Sequence, residues 1–464
     1  VRSSTGYIGG ADLRTIGQFR ALGRGATNLG VNGPRYALER AHRLRHLNAF
    51  SYTDSGCGDR SPAGSPTSRI HGVPIAIKDN IDTADMPTTA GTPGLAGRVP
   101  PADAPVVARM RAAGAVVIGK TTQHELSLGA SSVNTHSGTP RNPLDLTMTA
   151  GGSSGGSAVA VAAGIVPAAL GTDTVGSVRL PAAFCGLVGY RPTVGRYPGE
   201  GVVPVSPSQD TVGPITRTVK DLLLLDSVLA GRRRVPDTAN LSMLRLAINP
   251  DHLDGLDDGV SAEFQYAMAS LELAGVTFVD VDLTELERAG EDAGHTIMDH
   301  EFLPALCDYL SDRYPDLTVD DVLDQAANAD VRAALGYLRA TAFNDSDYRS
   351  ALADQHRISE AMSGQLDGVG AAAVLHPTSP LLPGATNAPD KVYGTGVHVP
   401  SYLGYLRFSG IAGALNLPAV TIPSGAEMAG TPVGIELRGM TGRDDSLLGV
   451  AAAVSDVLQY YTLD

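Results

Sequence analysis

Cysteine is scarce: three residues, Cys57, Cys185 and Cys307, in a chain of 464. An odd set spread over more than a hundred positions at each step makes neither a disulfide framework nor a zinc site, and no metal is expected. Basic residues are also in short supply, with 35 Lys and Arg against 49 Asp and Glu and a formal charge of −14. That balance repels phosphate backbones and no Lys/Arg run offsets it, so nucleic acid is not an expected partner. No apolar stretch approaches the roughly 20 residues that cross a bilayer, so no membrane is expected either. The opening Val1-Arg2-Ser3-Ser4 lacks the basic-then-apolar layout of a secretory leader. A reduced, cytoplasmic protein is the default expectation.

What is present is ordinary globular material, 43% hydrophobic and 18% charged, in a chain long enough to bury a sizeable core. The 54 Gly and 30 Pro fall short of the roughly 25–30% that marks disorder. Glycine is concentrated between residues 150 and 220, which points to turns and close backbone packing.

Helices are expected over 11–22 and 34–49, with a Gly/Pro/Ser-rich loop over 54–69. The apolar run Gly72 to Ile77, ending at Lys78, reads as a buried strand; 104–113 reads as a helix and Ala115 to Ile118 as a second strand. Strand, helix, strand in that order predicts a βαβ unit. Further strands are expected at 244–248, 277–281, 374–375, 418–423 and 433–437, with helices at 261–273 and 444–458. The charged, helix-rich stretch at about 283–365 reads as a helical insertion over the main sheet. Nothing resembles an interdomain linker. The expectation is one α/β domain over 1–464, with a central mixed, twisted β-sheet covered by helices on both faces.

Two pattern matches mislead. Gly114 to Thr121 fits the phosphate-loop string, but its variable positions are Ala-Val-Val-Ile, a strand whose N–H groups are already committed. Gly151-Gly152-Ser153-Ser154-Gly155 fits the nucleophile elbow of α/β-hydrolases, but the preceding 145–150 is not the buried strand an elbow follows. His124-Glu125 fails as a zinc helix because Leu128 stands where the second His belongs.

A longer constellation is far more specific. It joins Gly151-Gly152-Ser153-Ser154-Gly155-Gly156-Ser157 and Gly171-Thr172-Asp173-Thr174-Val175-Gly176-Ser177-Val178-Arg179-Leu180-Pro181 to Lys78 in Ala76-Ile77-Lys78-Asp79-Asn80. A serine hydroxyl attacks poorly until a neighbouring base takes its proton. No His lies in these segments, so the candidate base is Lys78, which must be neutral to act. A lysine ending a buried strand is desolvated, and desolvation lowers its pKa. A second hydroxyl between lysine and nucleophile can relay the proton.

In residue types, order and spacing this constellation resembles the amidase signature family, and the likeness extends over most of the chain. The resemblance implies Ser177 as nucleophile, Ser153 as relay, Lys78 as base and a cis peptide bond between Gly152 and Ser153. It also implies an oxyanion hole from the backbone N–H groups of Thr174, Val175, Gly176 and Ser177. The family most often has Gly where this chain has Val175; since a β-branched residue avoids positive φ, a negative φ is expected there. Ser154 is expected to support Lys78 by hydrogen bonding. Asp173 and Arg179 read as an ion pair shaping the loop, and Asp79 and Asn80 as the turn that positions Lys78. Cys185 reads as a small buried hydrophobe. Gly129, Ala130 and Ser131 are carried over as substrate-binding positions. No cofactor is implied.

The segments 188–198, 201–204 and 210–214 look most like the indoleacetamide and mandelamide hydrolase branch. That implies a small-molecule amide substrate of aryl or arylacetamide type, with hydrazide or ester also open. Candidate pocket walls are Met298, Phe302, Leu303, Tyr309, Tyr337, Leu338, Tyr402 and Leu403, all equally explicable as core at helical spacing. A homodimer is left open. The alternative function is a glutamine-hydrolysing subunit of a tRNA-dependent amidotransferase. A third reading, an inactive binding protein on the same fold, is disfavoured because all three triad positions are intact.

Overall fold

The computed structural model describes residues 15–23, 33–60, 62–232, 234–341, 344–386, 390–392, 398–426 and 430–459. Its strands are β1 (Phe50–Thr53), β2 (Pro74–Lys78), β3 (Val116–Thr121), β4 (Ala168–Asp173), β5 (Val188–Arg191), β6 (Thr211–Thr216) and β7 (Arg245–Ile248). They continue with β8 (Thr277–Asp280), β9 (Ala373–Pro377), β10 (Asp390–Val392), β11 (His398–Pro400), β12 (Ala419–Pro423) and β13 (Gly434–Arg438). Eleven of them form one mixed sheet in the order β1-β3-β2-β4-β6-β5-β12-β13-β9-β7-β8, and β10 pairs with β11 in a separate hairpin.

The expected βαβ unit is present: β2 and β3 run parallel, joined through the helix Pro105–Ala112. Every residue of β2 is buried, as its unbroken apolar run predicts for a strand covered on both sides. Ile75 and Ile77 pack into one core cluster and Ala76 into another. Alternate side chains of one strand thus feed two cores, each roofed by helices. β4 lies parallel to β2 on its other side, so Lys78 and the last residues of β4 emerge together at the same edge.

The small-residue helix Gly155–Ala162 lies against this edge so closely that a Cβ at Gly156 would come 2.4 Å from the Thr122 carbonyl oxygen. The phosphate-loop string is a strand as expected. Its Lys120 is fully buried, donating to Thr88 Oγ1 at 2.7 Å and lying 3.6 Å from Asp79.

Some elements differ from expectation. The helix expected over 34–49 ends at Arg43, and Asn48 takes a φ of +50°. The chain then turns into β1, an edge strand antiparallel to β3. The first helix is Ile16–Gly23; residues 11–14 of that expectation lie outside the described residues. The glycine-dense stretch holds β4, β5 and β6, which sequence periodicity did not delimit. The helical segment starts as expected, at the 30-residue helix Thr284–Arg313. It is built into the core: Phe302, Leu306 and Leu310 pack with Leu95, Leu126 and Val203.

The short helix Gly410–Ala414 presses on the turn that follows β4. A Cβ at Gly413 would fall 1.7 Å from the Thr174 carbonyl oxygen, a distance no side chain tolerates. Gly413→Ala should therefore destabilise the protein by about 1–3 kcal/mol and reduce activity by displacing residue 174. Thermal unfolding and steady-state rates check this, and a variant matching the parent in both contradicts the packing described.

Candidate active site

The amine of Lys78 sits where the edge of the sheet meets the two glycine-rich motifs. It is fully buried, and its Nζ donates to Ser153 Oγ at 2.6 Å and to Thr172 Oγ1 at 2.7 Å. Burial is the dominant influence on it and draws its pKa from 10.5 down to about 7, against the opposing pull of Asp210 and Asp173. Asn80 donates to the same Thr172 hydroxyl at 3.1 Å. It thereby links the turn after β2 to the end of β4.

The Gly152–Ser153 peptide bond is cis. Ser153 is fully buried, and its carbonyl accepts the His124 N–H at 3.1 Å. A side chain at Gly152 would collide with Ser132, so the segment admits only glycine there. Ser154 N–H donates to the Ser177 carbonyl at 3.2 Å, tying the two motifs together through the backbone. Ser177 retains 6% of its surface, while Lys78 and Ser153 retain none. Of these three side chains, Ser177 is the one an incoming molecule can reach.

Asp173 holds the turn that carries Ser177. Its carboxylate accepts the N–H groups of Gly176 (2.8 Å), Val178 (3.1 Å) and Arg179 (3.4 Å). It also receives Arg179 Nε and Nη2 at 3.0 and 2.9 Å. Burial alone would raise this carboxyl, but the guanidiniums of Arg179 and Arg191 hold it well below the usual range. Arg179 Nη1 reaches Glu436 on β13 at 2.5 Å. The expected Asp173–Arg179 pair is thus part of a larger buried network. Val175 is absent from the positive-φ residues, while Gly176 takes φ +125°, so the turn bends at the glycine and spares the branched side chain.

Other expectations fare variously. Ser154 does not bond Lys78; its hydroxyl donates to the Thr172 carbonyl at 3.2 Å and accepts the Thr172 N–H at 3.3 Å. Thr172 takes the place expected of it at the amine. Sequence reasoning missed Thr172, although its position at the end of a strand beside β2 was a usable signal. Of the carried-over substrate positions, Ala130 lies near Gly152, where a Cβ would come 3.1 Å from the Ala130 carbonyl carbon, while Gly129 packs on the His124 ring. Ser131 accepts the Thr149 hydroxyl at 3.1 Å through its own carbonyl. Cys185 is buried with its thiol pushed up by burial. Asp79 bonds Ser51 and Thr89 and pairs with Lys120, holding the turn after Lys78 as expected.

The proposed pocket walls are mainly core. Phe302, Tyr309 and Leu338 belong to a buried cluster, with Met298 and Leu303 packed on it. Tyr337 is 54% exposed. The side chains of Tyr402 and Leu403 lie outside the described residues. Among the described residues no cluster of three or more His, Cys, Asp or Glu could hold a metal, and no helix is long and apolar enough to cross a membrane.

The family model for Amidase matches residues 51–448. Mandelamide hydrolase of Pseudomonas putida is 34% identical, over 91% of this chain and 84% of its own length. Indoleacetamide hydrolase of Allorhizobium ampelinum is 35% identical, over 91% and 93%. Among solved structures, native peptide amidase from Stenotrophomonas maltophilia superposes with a TM-score of 0.81 at 27% identity, covering 96% of this chain and 97% of that one. The chain belongs to the amidase signature family and is a hydrolase of carbon–nitrogen bonds in linear amides.

Proposed function

We propose that this enzyme hydrolyses an aryl amide of the arylacetamide type through an acyl-enzyme on Ser177, using Ser153 and Lys78 to move the proton. The observation that carries the reading is the 2.6 Å contact between Lys78 Nζ and Ser153 Oγ, two side chains that are both fully buried. The substrate class rests on the mandelamide and indoleacetamide hydrolases among the relatives. Ser177 Oγ attacks the carbonyl carbon, and its proton passes to Ser153 as the Ser153 proton passes to the neutral amine of Lys78. The tetrahedral intermediate collapses as the carbon–nitrogen bond breaks, and the leaving nitrogen takes the proton back along the same path. Water then attacks the acyl carbon by the reverse route and frees the acid.

The developing oxyanion needs N–H donors fixed in advance. The N–H of Gly176 is committed to Asp173, so the hole is assigned to Thr174, Val175 and Ser177.

Incubating the purified chain alone with phenylacetamide, mandelamide and indole-3-acetamide should release ammonia. Ser177→Ala and Lys78→Ala should each lose about 10³-fold or more in kcat while remaining folded. Glutamine hydrolysis that appears only with a second subunit, and no aryl amide turnover, would reject the substrate assignment.

The pH profile has a definite sign. Lys78 acts as an amine and is lost as base when it gains a proton, and its pKa is drawn down to about 7. The rate should therefore plateau above pH of about 8 and fall about tenfold per unit below pH of about 6. A kcat profile flat from pH 5 to 9 would rule out Lys78 as the base.

A further inference from the structure

Arg191, at the end of β5, is fully buried behind the Ser177 turn. Its Nη1 donates to the main-chain carbonyl of Asp173 and lies 3.5 Å from Asp173 Oδ1. Its Nε and Nη2 have no acceptor among the described residues. The Asp173 carboxylate is already engaged by Arg179 and three backbone N–H groups, so the hydrogen bond Arg191 makes is to a peptide carbonyl. Ion pairing alone accounts poorly for it: a buried cation is an expensive spacer, and an apolar side chain of similar size would fill the volume at lower cost.

The other end of that peptide is the N–H of Thr174. A cation hydrogen-bonded to an amide oxygen draws electron density through the amide and makes its N–H a stronger donor, the mutual polarisation of linked hydrogen bonds in a medium of low dielectric. Thr174 is also fixed on its remaining sides. Its Oγ1 donates to Asp210 at 2.6 Å, and its carbonyl is pressed against Gly413. The direction of this N–H is thus set before substrate arrives, which is what an oxyanion donor requires.

We infer that Arg191 is a positioning residue for acyl transfer, polarising the Asp173–Thr174 peptide so that the Thr174 N–H binds the oxyanion formed when Ser177 attacks. The inference rests on Ser177 being the nucleophile, as proposed above. Burial draws the guanidinium down to about 10, which leaves it charged at neutral pH.

The test combines kinetics with an adduct structure. Arg191→Gln should lower kcat by about 10- to 100-fold with KM within about twofold of the parent, per active site titrated. The inhibition constant of an arylboronic acid, whose tetrahedral adduct mimics the oxyanion, should rise by a similar factor. R191K, which keeps the cation, should recover most of both. An R191Q enzyme with parental kcat and boronate affinity overturns the inference, as does an R191K enzyme no better than R191Q. Should R191Q fail to fold, the parent enzyme's boronate adduct decides: an adduct oxygen within about 3.2 Å of the Thr174 nitrogen supports the inference, and one beyond that reach refutes it. Ser177→Ala, assayed in parallel, separates the two readings. If it is inactive while R191Q is normal, the role of Arg191 fails alone; if it remains active, the nucleophile assignment fails.

Discussion

One amine taken out of water organises this site. Lys78 ends a strand buried on both faces and finds two hydroxyls, Ser153 and Thr172, and, among the described residues, no carboxylate within bonding distance. In that setting the ammonium form loses its hydration without gaining a counter-ion, and the neutral amine is favoured. The nearest acids, Asp173 and Asp210, act through space against this shift without reversing it. Had either reached the amine directly, the lysine would be a salt-bridge partner. The difference is made by the backbone: Asp173 is turned toward the N–H groups of its own loop and toward Arg179.

The same carboxylate explains why the turn that carries Ser177 holds its shape. Every acceptor site of Asp173 is used, and Arg179 carries the connection to Glu436 on β13, across the sheet. Buried charges of this kind add little net stability, since desolvation offsets most of the attraction. What they supply is a fixed geometry. The turn from Thr174 to Ser177 is held from below by Asp173 and pressed from the side by the glycine of the helix Gly410–Ala414. A preorganised turn is what electrostatic stabilisation of a transition state needs.

Much of this was legible in the sequence, for reasons that can be stated. β2 and β3 announced themselves because parallel strands buried on both sides read as unbroken apolar runs. Lys78 stood out as a charge ending such a run, and the glycine and serine motifs placed Ser153 and Ser177 by their resemblance to a family. β1 was hidden because three of its four residues are exposed and share no alternation. β5 and β6 were hidden by Gly189, Gly213 and Pro214, residues that ordinarily signal turns. Thr172 was overlooked because a threonine in a glycine-rich string reads as loop, whereas β4 runs parallel beside β2 and its end reaches the lysine, which donates to Thr172 Oγ1. The apolar residues of the long helix were ambiguous in principle: helical spacing shows that a face is buried, not whether substrate or protein covers it. In this fold, protein covers it.

Whether Lys78 is held as the neutral amine that the proposed chemistry needs can be observed without any substrate. The chain has four lysines, Lys78, Lys120, Lys220 and Lys391, so carbon-13 labelling at Cε gives a sparse spectrum in which Lys78→Ala identifies the resonance of interest. This resonance should titrate with a midpoint near 7. A midpoint in the ordinary lysine range, near 10.5, would mean that Lys78 is a cation at working pH and would contradict the proposed chemistry.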